Sequence, residues 1–189
     1  MVDFTHVNAA LTRTGNDPIS SFADGTVRAI VAESNYEVLV KAELANRWKF
    51  AGKFEALNLL VDEPPDPWLY AYQLPVDIMA IRTVTQAGAN VEYWVESDVI
   101  YTKVDNSSEE ILLHYVWRVP EIQWPPWFAE PMTQRLEAIF LRALGERHDE
   151  ALARDKSADK LFADARRLDT QSQSPRNPWR RPIMAARNG

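Results

Sequence analysis

The chain has 189 residues, 46% hydrophobic and 25% charged, the balance of a globular domain able to build its own core. It has no apolar run of about 18 residues, which argues against a membrane span, and no cysteine, which excludes disulfides and thiolate zinc sites. The net charge of −6 is uneven: residues 171–189 hold Arg176, Arg180, Arg181 and Arg187 with no acid, and setting aside their +4 leaves −10 on the other 170.

The first residues, MVDFTHVNAALTRTG, lack the basic region and apolar stretch of a secretory signal, so the expected compartment is the cytosol. Asp3 can cap a helix over 3–14 in which Phe4, Val7 and Leu11 share a face and which Gly15 stops. A turn-rich loop, NDPISSFADG, leads to a second helix over 24–47, preceded by Asp24. Its Val27, Ile30, Val31, Val38 and Ala42 lie near one stripe, and a bend is expected at Ser34 and Asn35. From WKFAGKFEALNLLV the period changes. MAIRTVTQ, VEYWVES, DVIYTKV and ILLHYVWRV read as three or four antiparallel strands joined by AGAN, Ser97-Asp98 and DNSSE, inside a β insertion over about 52–119. EIQWPPWFAEP is a proline-stiffened approach to a third helix over 130–144, with Met132, Leu136, Ile139, Phe140, Ala143 and Leu144 on one stripe. A last helix covers 148–169. The fold class is therefore α+β: a small bundle of about four helices with an inserted antiparallel sheet in residues 1–170, and an extended basic C-terminal tail over 171–189.

The pattern contains no catalytic constellation. His6, His114 and His148 fall in separate elements, with no HExxH pair, and there is no GxSxG elbow, P-loop or glycine-rich dinucleotide loop. Asp98, Glu96 and Glu92 are acids on a strand face and need no catalytic explanation. The expected catalytic, cofactor and metal residues are accordingly none, and the chain is read as not an enzyme. Seven tryptophans are the more telling feature. Trp48, Trp94 and Trp117 read as core. Trp124 and Trp127 in QWPPWF and Trp179 in NPWRRP lie in proline-bounded segments that favour surfaces, and together with the arginines suit a protein interface.

Several blocks resemble one family, the head-to-tail connectors (adaptors, or tail tubular proteins A) of short-tailed bacteriophages. The first helix carries Asn8, Leu11 and Gly15 ahead of Pro18-Ile19-Ser20-Ser21, the second runs into Trp48-Lys49-Phe50-Ala51, and then comes Trp68, Tyr70-Ala71-Tyr72, Leu74-Pro75 and Asp77. The resemblance spans about residues 5–168, and YAY-x-LP-x-D is its most specific part. It implies a structural virion protein: a homo-oligomeric ring, usually of about twelve copies, between the portal protein and the tail nozzle protein, with DNA passing through its channel. Such a chain would sit at the head–tail junction of the virion, pass through the host cytoplasm during assembly, and could be monomeric beforehand. Arg176, Trp179, Arg180, Arg181, Arg187, Trp124 and Trp127 would then contact the portal or a neighbouring subunit. Trp48, Trp68, Tyr70, Tyr72 and Pro75 would form the joint between bundle and insertion. The rival expectation is a nucleic-acid-binding accessory protein using the Arg-Trp tail, a role that the acidity of the body opposes.

Overall fold

The computed structural model describes residues 4–46 and 48–171. Four helices form the body: α1 (Thr5–Arg13), α2 (Val27–Leu44), α3 (Pro126–Gly145) and α4 (His148–Gln171). Eight strands lie between α2 and α3, so the class is α+β. They make two antiparallel four-stranded sheets rather than one. β1 (Gly52–Ala56), β8 (Ile111–Trp117), β4 (Ile78–Gln86) and β5 (Ala89–Asn90) form the first in that order; β2 (Asn58–Leu59), β3 (Tyr70–Gln73), β7 (Val99–Thr102) and β6 (Tyr93–Glu96) form the second.

The connecting motifs have local reasons. α1 buries Val7, Ala10 and Leu11. Asn8 reaches from it to Ile19, donating to the carbonyl and accepting from the amide, both at 2.9 Å. That two-way clamp fixes the PISS loop. Asp24 ends a short 3-10 turn, where its carboxylate accepts from the Ser20 and Ser21 amides at 2.8 and 3.2 Å, which lowers its pKa. Helix α2 therefore starts later than the sequence pattern suggests, capped by Thr26, whose hydroxyl accepts from the Ala29 amide at 3.3 Å. It runs unbroken through Ser34 and Asn35, whose side chains bond back to carbonyls one turn earlier, Ile30 and Val31, at 2.8 Å. Helix α3 starts before residue 130, since Pro126 takes a first-turn position where a missing N–H has no helical partner to lose. Asp3, the expected cap of the first helix, lies outside the described residues.

Each half has its own core. In the helical half, Val7, Leu11, Tyr36, Met132, Phe140 and Phe162 are buried together with Trp48, whose ring lies 5.2 Å from Phe128 and 5.9 Å from Trp127. The sheet half buries Leu57, Tyr72, Val84, Ile100, Ile111, Leu113 and Tyr115. Trp117 packs against both. The insertion enters and leaves the body side by side, because its first and last strands pair, Gly52 opposite Val116.

Candidate functional site

The most specific motif of the sequence, Trp68 to Asp77, passes from β3 in the second sheet to the start of β4 in the first. Tyr70, Ala71 and Tyr72 pair with Thr102, Tyr101 and Ile100 of β7. Tyr72 is fully buried and donates to the Val104 carbonyl at 3.2 Å; burial pushes its pKa up to about 12. Trp68 is half-buried, with the Lys103 ammonium 5.3 Å above its ring. Past Pro75 the chain turns, and Asp77 becomes a node. Its Oδ1 accepts from the Tyr115 hydroxyl at 3.0 Å, its Oδ2 meets Lys53 Nζ at 3.3 Å, and its carbonyl accepts from the Arg118 amide at 2.9 Å. Glu55 Oε2 joins the cluster, 2.8 Å from the Tyr115 hydroxyl and 3.1 Å from Lys53. Lys53 also sits 5.5 Å above the Trp117 ring.

Electrostatics fix the chemistry open to this cluster. Burial raises the Tyr115 pKa, and bonding to Tyr115 and Glu55 raises that of Lys53. At neutral pH the phenol keeps its proton and the amine its charge. These are the states of a donor and a counter-ion, whereas an amine acting as base or nucleophile needs a depressed pKa. The cluster holds the β3–β4 connection against β1 and β8.

The expected joint residues do not converge. Trp48 belongs to the helical core, where its indole N–H donates to the Glu43 carbonyl at 2.7 Å. Tyr70 and Tyr72 belong to the sheet core, and Trp68 lies at its rim. Pro75 is half-buried at the turn, its carbonyl accepting from the Ile78 amide at 3.2 Å. The contact between halves is made instead by Met79, Ala80, Val116 and Trp117 packed on the helical core, by Arg82 donating to the Trp48 carbonyl and by Arg118 paired with Glu37 of α2 at 3.1 Å. Lys53, Asp77 and Tyr115 knit the insertion together. Lys53 and Tyr115 carry no signal in sequence, because only strand pairing brings β1 and β8 together.

Two expected contact residues are corrected. Trp124 is 7% exposed, stacked on His6 at 5.2 Å with its N–H donating to the Val119 carbonyl at 3.0 Å. Trp127 is half-buried beside Trp48 and Phe50. Their segment folds as a 3-10 turn (Glu121–Gln123) and the first turn of α3, an arrangement that turns both rings inward and leaves Ile122, 83% exposed, on the outside. Trp94, expected in the core, is 57% exposed on the edge strand β6. Arg176, Trp179, Arg180, Arg181 and Arg187 lie outside the described residues. Of the histidines, His114 stacks on Phe54 at 4.0 Å and approaches Arg82 at 3.3 Å, with its pKa lowered by burial and then by Arg82; His148 begins α4. Glu92 pairs with Lys103 at 3.1 Å, and the Asp98 carboxylate accepts from Gln73 at 3.1 Å.

Outside the cores, two surfaces stand out. One is an open groove of about 590 Å³ between α2 and the turn after Pro75, lined among others by Glu37, Lys41, Val76 and Arg118. The other is the outer face of α2, which carries Val27, Ile30 and Val38 at 67%, 53% and 68% exposure, while Ala29, Ala32, Tyr36, Val40 and Leu44 fill the core. The apolar stripe read from sequence is thus mostly the side turned away from the core; of its members only Val31 packs against the core. Compared with protein-family models and with curated proteins, the chain matches none.

Proposed function

We propose that the chain is a structural virion protein, a non-enzymatic head-to-tail connector of a short-tailed phage. Copies form a ring between the portal protein and the tail nozzle at the head–tail junction, after assembly in the host cytoplasm, and DNA crosses the channel without sequence-specific binding.

The observation that carries this reading is the block from Trp68 to Asp77. It is the most family-specific stretch of the sequence, and its residues serve as framework. Tyr72 is buried, and Asp77 ties the connection between β3 and β4 to β1 and the end of β8 through Tyr115, Lys53 and the Arg118 amide. Asn8 and Asp169 support the other two motifs. Asn8 clamps Ile19, and the Asp169 carboxylate accepts from the Lys49 and Phe50 amides at 2.6 and 3.1 Å. A protein that works by presenting surfaces needs such rigidly held motifs. The net acidity of the body further suits a channel through which DNA slides without adhering.

Electron microscopy of the purified protein mixed with a purified portal ring tests the proposal. The expected result is an added ring of density on one end of the portal. Portal particles that stay bare at saturating protein would refute it.

A further inference from the structure

Helix α2 is apolar on both sides. Toward the core it places alanines, Tyr36, Val40 and Leu44; away from it, at the spacing of one helical face, lie Val27, Ile30, Ser34, Val38, Ala42 and Ala45, while Val31 packs at the edge of the core. Lys41 is the one charged residue among those within that outward arc, and Glu33 and Glu37 lie on its flank. A helix facing water on one side ordinarily carries charge there, and one that is apolar all round is a buried helix. Nothing among the described residues covers this face: Val27, Ile30 and Val38 are each more than half exposed.

We infer that the outer face of α2 docks a second copy of this chain. The inference rests on the ring reading for its occupant, and area and charge argue the same way. The stripe is about 27 Å long and 10–12 Å wide, roughly 300 Å² per copy. A stable one-to-one complex needs about 800 Å² from each partner, so this face alone does not hold a foreign protein tightly. In a closed ring each copy is held by two neighbours, and the last contact forms within one assembly, where a weak face suffices. Copies whose bodies each carry −10 repel one another, and a stripe with a single charge is where two can approach at least electrostatic cost. Contact of this kind leaves copies apart at low concentration and joins them when they are gathered.

The absence of native cysteine makes the test direct. Ser34→Cys in the full-length chain is labelled with a photo-crosslinker, and isotopically heavy and light protein are mixed so that bonds between copies are distinguished from bonds within one. Illumination without any portal should give heavy–light dimers and larger species, increasing with protein concentration. The double variant Ile30→Glu, Val38→Glu should lower that yield by about tenfold or more. Both sites are exposed, so its helical signal and melting temperature should match the parent. Adducts only within one chain would assign the face to another segment of that chain and overturn the inference, as would a yield indifferent to the two glutamates. Loss of portal binding with cross-linking retained would count against the connector reading alone. A portal complex formed without any α2 cross-link would sink this inference and leave that reading standing.

Discussion

The Tyr115 hydroxyl lies 3.0 Å from Asp77 Oδ1, joining residues 38 apart in sequence and holding the connection between β3 and β4 against β8. Glu55 Oε2 competes for the same proton at 2.8 Å. Tyr115→Phe keeps the ring and removes this shared bond, leaving two carboxylates to rely on Lys53. We expect a loss of about 1–3 kcal/mol in denaturant unfolding, the range for hydrogen bonds to charged groups. Unchanged stability would mean that Asp77 is held mainly through Lys53 and the backbone.

A second expectation concerns alkaline pH. Tyr36, Tyr72 and Tyr115 all have raised pKa values, chiefly from burial, that of Tyr72 reaching about 12. Unfolded, each phenol would ionise near pH 10. Above that pH the unfolded chain binds fewer protons than the native one, so stability is full below about pH 10 and falls as pH rises through about 12. Phenolate absorbance followed with far-UV circular dichroism should show part of the six tyrosines titrating only as the helices melt. A single ordinary titration of all six with the fold intact would contradict it.

Much of the fold is legible in sequence because helix periods and turn residues are local. Residues 148–169 read as helix and are helix, and the AGAN turn reads correctly because Ala87 and Gly88 both take positive φ, the conformation of a tight hairpin turn. The second sheet is legible only in its β6–β7 hairpin, which VEYWVES and DVIYTKV announce. β2 is two residues long, and β3 reads as a proline-bounded aromatic segment whose partner, β7, lies 26 or more residues away. Proline misleads at Trp124 and Trp127 for the same reason: it fixes φ without saying which way the next ring points. The stripe on α2 shows the limit of periodicity, since a helix apolar on both faces gives no choice between core and solvent. Of the candidate site, Asp77 was visible through its motif. Lys53, Glu55 and Tyr115 depend on strand register and were not.

Asn8 should matter more than its polar, part-buried setting suggests. Its amide satisfies both backbone groups of Ile19, a residue only 4% exposed, so Asn8→Ala leaves a donor and an acceptor without their partner. The expected cost is about 1–3 kcal/mol, with faster hydrogen exchange at the Ile19 amide. Asn8→Asp keeps the acceptor for that amide but faces the Ile19 carbonyl with a carboxylate, and should recover little. Full stability in both variants would show that the loop is held by Ile19 packing.

Glu137 is buried, its side chain 2% exposed, between Arg13 Nη1 and Arg154 Nε, each 3.1 Å away, and so links α1, α3 and α4. The two arginines are about half exposed. Glu137→Gln leaves Arg13 to Glu130, 3.0 Å away, and Arg154 to water, and should cost only about 1–2 kcal/mol. Removing both arginines strands a buried carboxylate and should cost about 3–5 kcal/mol. Thermal and denaturant unfolding of the two variants check the ranking. The reverse order would mean that the arginines, and not the carboxylate, carry the desolvation burden.

Residues 172–189 follow directly on α4, whose end is secured to the body by Asp169 and by Lys49 Nζ, 2.9 Å from the Thr170 carbonyl. Those contacts precede the cut, so deleting 172–189 should leave unfolding unchanged. It removes +4 from a chain whose remainder carries −10, and under the proposed function it removes the group that pairs with an acidic portal surface. Attachment to purified portal should therefore weaken on deletion, and attachment of the full chain should weaken with added salt as the charge pairs are screened. If instead the full chain binds DNA, with an affinity that falls steeply with salt and vanishes on deletion, while portal attachment is unaltered, the arginines serve nucleic acid and the rival function gains what the connector loses.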